Sequence, residues 1–219
     1  MERFIKGILL FSIILAISCH KKNLIEANRV DDQFEIGKKL FEQKDYDKAI
    51  KAFERVIYYF ATGEYTDDAQ FYLALCYFKK KEYELAKSEF EFLIENFPQS
   101  EYVEQSYIYI AKCILNKNKN IHRDLSQIKD AIKILREFLS KFPKSKYRNE
   151  AKELLREAKE RLAQKMLLAI KVYYKLGKKE SALLYYELLK NEYPESEALK
   201  EAKRILNKWL KEETKDEKY

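Results

Sequence analysis

The chain has 219 residues, with 43 Lys and Arg against 36 Asp and Glu, a net charge of +7, and only four Gly and three Pro. So few turn residues exclude a sheet-rich fold, whose hairpins need many positions at positive φ, and the abundant Lys, Glu, Leu and Ala favour helix. The charges are interspersed, as in Glu150, Lys152, Glu153, Arg156, Glu157 and Lys159, a pattern of solvated helix faces and not the basic patch of a nucleic-acid binder.

Taken in chain order, Arg3 and Lys6 precede an apolar run from Ile8 to Ile17. That run has the length of a signal-peptide core and is short for a bilayer span. It ends in Leu15-Ala16-Ile17-Ser18-Cys19, which resembles the bacterial lipobox, with Ala16 where Leu is commoner. The resemblance implies a signal peptide over 1–18, cleavage before Cys19, and acylation (palmitate-type chains) of its thiol and the new amino terminus. The alternative is an ordinary signal peptide or membrane anchor that happens to hold a cysteine. His20 follows in place of the aspartate that retains lipoproteins in the inner membrane, so the expected location is the outer membrane, facing the periplasm. Residues 19–31 then form a lipidated terminus and tether, residues 32–213 the folded part, and residues 214–219 a charged tail.

The folded part repeats itself. Phe97-Pro98-Gln99-Ser100-Glu101-Tyr102, Phe142-Pro143-Lys144-Ser145-Lys146-Tyr147 and Tyr193-Pro194-Glu195-Ser196-Glu197-Ala198 share one punctuation, and Phe60-Ala61-Thr62-Gly63-Glu64-Tyr65 is a degenerate copy. Each closes a helix with an aromatic and Pro, then offers Ser, or Gly63, to cap the next. Twelve residues before each Pro stands Ala86, Ala131 or Ala182, with Ala49 matching in the first copy. Phe53, Phe90, Leu135 and Tyr186 follow four residues later. Twelve residues before Ala49 and Ala86 stand Gly37 and Ala74. Small residues at a helix crossing let two backbones approach. The pattern resembles the tetratricopeptide repeat (TPR), and the expected fold is an all-α, TPR-like helix-pair solenoid of about four repeats.

The spacing Ala49 to Ala86 is 37 residues, whereas Ala86 to Ala131 is 45 and Ala74 to Ala111 is again 37. Eight extra residues therefore lie in the turn inside the third pair, around Asn116 to Asp124. The fourth unit opens with a long helix, about Arg148 to Leu176, turned by Gly177. A last amphipathic helix, about Ser196 to Lys211, caps the array with Leu199, Ala202, Ile205, Leu206, Trp209 and Leu210 on one face.

The lipobox, the insertion in the third unit, where Arg123-Asp124 is followed by Ala131 and Pro143, and the run from Arg161-Leu162-Ala163 through Val172-Tyr173 to Gly177 and Pro194 together resemble the BamD-type TPR lipoproteins of the outer-membrane β-barrel assembly machinery. The family more often has five repeats and a basic residue where Leu176 stands. The resemblance implies an adapter that binds unfolded outer-membrane proteins, partly by their C-terminal aromatic strand, and docks on the barrel-forming core subunit through its C-terminal repeats. The alternative is a periplasmic scaffold lipoprotein that organises cell-wall enzymes or the Tol–Pal system.

The register also predicts a peptide groove. Phe34, Phe71 and Ile108 form one ladder, Phe41, Phe78 and Leu115 a second, and Lys38, Leu75 and Lys112 a third, largely basic one. Such ladders suit an extended apolar chain ending in a carboxylate; alternatively these side chains pack between helices. Catalytic chemistry is not evident: histidines are His20 and His122 alone, with no phosphate loop or HExxH. No cofactor, no metal and no enzymatic activity are expected. Cys76 and Cys113 hold equivalent repeat positions, and two buried thiols are the favoured reading over a disulfide.

Overall fold

A computed structural model describes residues 30–59, 63–118, 120 and 125–216. The leader, Cys19 and the tether lie outside the described residues, as do Phe60-Ala61-Thr62, Lys119, the 121–124 part of the insertion and the last three residues. The described residues form helices α1 (Val30–Glu42), α2 (Tyr46–Tyr59), α3 (Thr66–Lys79), α4 (Tyr83–Asn96), α5 (Val103–Lys117), α6 (Ser126–Lys141), α7 (Arg148–Lys175), α8 (Lys179–Glu192) and α9 (Glu197–Asp216), with no strand among them. The fold class is all-α, built of TPR-like helix pairs. Two compact units divide the chain, one ending at Val103 and the other starting at Glu104.

In the first unit α1 pairs with α2, α3 with α4, and α3 packs on α2. The predicted small residues sit at the crossings. Ala49, Ala74 and Ala86 are fully buried. A Cβ added to Gly37 would lie 2.5 Å from Phe53 Cε1, so α1 approaches α2 as closely as it does because position 37 carries no side chain. Phe34, Ala49, Phe53, Val56, Ala69, Leu73 and Cys76 fill the core between them.

In the second unit α7 is the spine, packed against α6, α8 and α9. Ala131, Ala158, Ala163 and Ala182 are again fully buried, beside Leu167, Ile170 and Leu189. Glu160 of α7 accepts the Glu197 and Ala198 backbone N–H groups at 2.9 and 3.1 Å, capping α9 from outside. The Arg161 guanidinium donates to the Leu115 and Asn118 carbonyls at the end of α5 and to Glu157. An anion thus meets a helix N-terminus and a cation a helix C-terminus, each complementing the local dipole.

The turns explain the repeat punctuation. Three pairs turn through one residue at positive φ, Lys44 (63°), Lys81 (66°) and Gly177 (69°). In each, two successive N–H groups close back on the helix: Lys44 to Phe41 and Asp45 to Leu40, Lys81 to Phe78 and Glu82 to Tyr77, Gly177 to Tyr174 and Lys178 to Tyr173. These are Schellman closures. The third pair is opened by the segment between Lys117 and Ser126, where the sequence placed its insertion. The serines divide. Ser196 Oγ accepts the Leu199 N–H at 3.2 Å and caps α9. Ser145 Oγ instead accepts the Tyr147 N–H inside the turn, and α7 has no side-chain cap. The expectation that each serine, or Gly63, caps a helix is therefore corrected: Ser100 Oγ likewise accepts the Tyr102 N–H, and the cap positions of α3 and α7 fall two residues later than Gly63 and Ser145, on Tyr65 and Tyr147, so these residues serve the turns.

Candidate functional site

Phe34 and Phe71 of the first ladder are each 3 % exposed, and Ile108 is 1 %. What covers the two rings is the punctuation itself. Tyr65 stacks on Phe34 at 5.0 Å and 19°, and Tyr102 stacks on Phe71 at 4.3 Å and 16°. The Tyr102 hydroxyl donates to Asp68 Oδ1 at 2.8 Å. Desolvation raises the Asp68 carboxyl above its ordinary range against that hydrogen bond, and burial likewise raises the Tyr102 phenol. Tyr72 adds an edge contact to Phe34 at 5.9 Å. Leu75 and Leu115 are buried as well. These five side chains are packed inside the repeats and offer no surface to a peptide; over Phe34 and Phe71 the cover is Tyr65 and Tyr102, each folded back onto the first helix of the pair before it.

Four members of the ladders keep partial exposure. Phe41 lies edge-on to Tyr46 and Tyr72, both at 5.6 Å, and Phe78 edge-on to Tyr83 at 5.6 Å. Lys38 pairs with Glu35 at 3.4 Å and lies over the Phe34 ring; Glu35 also holds its ammonium pKa above the usual value. Lys112 pairs with Glu150 at 2.6 Å and lies 4.8 Å over the Tyr109 ring. The basic ladder is thus partly neutralised by its own carboxylates.

A second feature escaped the register. In the second unit a cleft of about 640 Å³ is lined by Leu125, Leu162, Met166, Val172, Tyr173 and Tyr185, with Lys129 and Glu192 among its polar residues. Val172 on α7 and Leu176 at its C-cap are 46 % and 61 % exposed, and Leu184 on α8 is 61 % exposed. The signal for it was present in the helix lengths. α7 has 28 residues, whereas α6 and α8 packed on it have 16 and 14, so stretches of its apolar surface outrun their partners. Burial pushes the Tyr193 phenol at the cleft wall up to about 12.

Cys76 and Cys113 are buried thiols, and burial pushes Cys76 up to about 12. Among the described residues no group of His, Cys, Asp and Glu is placed to hold a metal, and no helix is long and apolar enough to cross a membrane.

The sequence profile of the YfiO family, described as "Outer membrane lipoprotein", matches residues 26–218. No curated protein matches the chain. Among solved structures, the first TPR of Spaghetti bound to an HSP90 peptide is 20 % identical with a TM-score of 0.48, covering 63 % of this chain and 95 % of that one. YrrB, described as a TPR protein with an unusual peptide-binding site, is 16 % identical with a TM-score of 0.46, covering 84 % and 97 %. A thermophilic TPR protein of Thermus thermophilus is 17 % identical with a TM-score of 0.44, covering 81 % and 99 %.

Proposed function

The chain belongs to the YfiO, or BamD-type, family of outer membrane lipoproteins, and from that premise we propose that it is an adapter in the assembly of β-barrel outer-membrane proteins. Acyl chains on Cys19 hold it to the outer membrane, facing the periplasm, since several buried chains anchor a protein far more firmly than one. Its work is binding, without catalysis or cofactor. Unfolded outer-membrane proteins are received on the first unit, at the partly exposed Phe41 and Phe78 with Lys38 beside them. Lys112 serves clients in the same way on the second unit, its ammonium answering a carboxylate. The barrel-forming core subunit docks on the C-terminal repeats.

The observation that carries this reading is the apolar cleft of the second unit, with Val172 exposed in its lining and Leu176 exposed four residues further along the chain. Aliphatic side chains left open beside a concave surface need a partner to cover them. Pull-down of the acylated chain from detergent-solubilised envelopes tests the proposal. The expected result is co-purification of a large β-barrel subunit. Recovery of cell-wall enzymes or Tol–Pal components without that subunit would overturn it in favour of a scaffold.

A further inference from the structure

One face of α2 packs into the first unit through Ala49, Ala52, Phe53 and Val56; the adjoining solvent face carries Lys48, Lys51, Arg55, Tyr58 and Tyr59. At 100° per residue these five fall within an arc of about 100°. Tyr58 and Tyr59 are 79 % and 71 % exposed, more than any other large hydrophobic side chain among the described residues, and they meet edge to face at 4.9 Å. Two of the nearby acids are engaged, Asp45 with Lys48 at 2.6 Å and Asp47 with Lys80 at 2.7 Å, while Glu54 stands in solvent at the margin of the strip, about 40° beyond Tyr58. What remains is a cationic strip ending in two amphipathic rings.

Its position matters as much as its chemistry. α1 and α2 run antiparallel, with Phe41 against Tyr46 at the turn and Phe34 against Phe53 higher up. Continued in that register, the end of α2 lies beside the start of α1. The tyrosines therefore sit where the chain arrives from Cys19. Ten residues, 20 to 29, separate Cys19 from Val30, a reach of at most about 40 Å over the eleven steps.

We propose that this face of α2 rests on the anionic phospholipid surface of the membrane. Tyr58 and Tyr59 lie at headgroup depth, where amphipathic rings are favoured, and Lys51 and Arg55 face lipid phosphates. The proposal rests on the lipid anchor at Cys19. An anchor on a flexible tether leaves the orientation of the repeats open, and this second contact fixes which side of the first unit faces the bilayer. The strip's charge complements headgroups, and its rings are flanked by cations instead of forming a dry apolar groove, which favours a lipid surface over a protein.

The test uses the acylated mature chain carrying Tyr59→Trp with Trp209→Phe, bound to phosphatidylethanolamine–phosphatidylglycerol vesicles that contain acyl-brominated lipid. Flotation reads the anchor, and quenching of the introduced tryptophan reads the α2 face. The expected result is flotation with a blue-shifted, largely quenched emission. Adding Lys51→Glu and Arg55→Glu, both on exposed positions, should leave flotation intact and restore the emission. Flotation without quenching would overturn the proposal while leaving the anchor standing, as a protein-covered face predicts. Quenching that survives the double charge reversal would overturn the headgroup pairing. Failure to float would remove the anchor and the proposal together.

Discussion

Ser106 is fully buried in α5, and its hydroxyl has no hydrogen-bond partner among the described residues. An unsatisfied buried hydroxyl costs roughly 1–3 kcal/mol of desolvation. Ala69, which stands 37 residues earlier at the equivalent position, is also fully buried, so the site accepts a methyl group. Ser106→Ala should therefore raise stability by about 1 kcal/mol, read as a higher denaturant midpoint at unchanged slope. A lower midpoint would mean that the hydroxyl has found a partner. Cys76 makes a second residue-scale case. With its thiol pushed up to about 12 by burial, it stays protonated throughout the neutral range, because the thiolate is the reactive form and only a minute fraction exists at pH 8. Iodoacetamide should label it only after the first unit opens, at a rate that follows denaturant. Prompt labelling of the native chain at pH 8, seen by mass, would put the thiol at the surface. The two buried thiols were legible in the sequence because their repeat positions face inward; the orphan hydroxyl was not, since its lack of a partner is a property of the packed neighbourhood.

At the scale of elements, the small residues and prolines mark helix crossings and ends because each answers a steric demand that any helix pair makes. Ala49, Ala86, Ala131 and Ala182 could therefore be placed from spacing alone. The peptide ladders could not. Periodicity says which residues share a face of α1 or α3, but Tyr65 and Tyr102 arrive from the far end of the next helix to stack on Phe34 and Phe71, and only three dimensions show that cover. The turns provide a test of how local these rules are. Lys44, Lys81 and Gly177 hold the same left-handed position, and an L side chain there costs about 1–2 kcal/mol, while glycine loses roughly 0.5–1 kcal/mol of chain entropy on folding. Lys81→Gly should stabilise the first unit by about 0.5–1 kcal/mol, and Gly177→Ala should cost the second unit about 1 kcal/mol. Thermal melts of the two variants should move in opposite directions. Equal and small shifts would show that the Schellman closures tolerate any residue.

At the scale of the molecule, each unit has its own core, and the proposed tasks fall on different parts of the chain: the anchor on Cys19, the aromatic client surface on the first unit with Lys112 added from the second, and the core-subunit surface on the C-terminal repeats. Leu176 is 61 % exposed, so Leu176→Glu should change stability by no more than about 0.5 kcal/mol. A charge set into an apolar contact should nevertheless weaken capture of the barrel subunit by about 1–3 kcal/mol, or roughly fivefold to 150-fold. Phe41→Ala should lower affinity for a peptide ending in an aromatic β-strand by a similar factor, and its melting curve will fall more because the ring also packs on Tyr46 and Tyr72. Cys19→Ala should abolish fatty-acid labelling and release the chain from the outer-membrane fraction while leaving both binding activities in solution. Three variants and three readouts (membrane fractionation, subunit co-purification, peptide titration on the folded fraction) then give a diagonal pattern, each lesion removing one observable. That pattern is demanding, because a general loss of fold would lower all three together. If Leu176→Glu abolishes peptide binding as strongly as subunit capture while the melt is unchanged, the division of tasks between the units is wrong, and one shared surface must serve both partners.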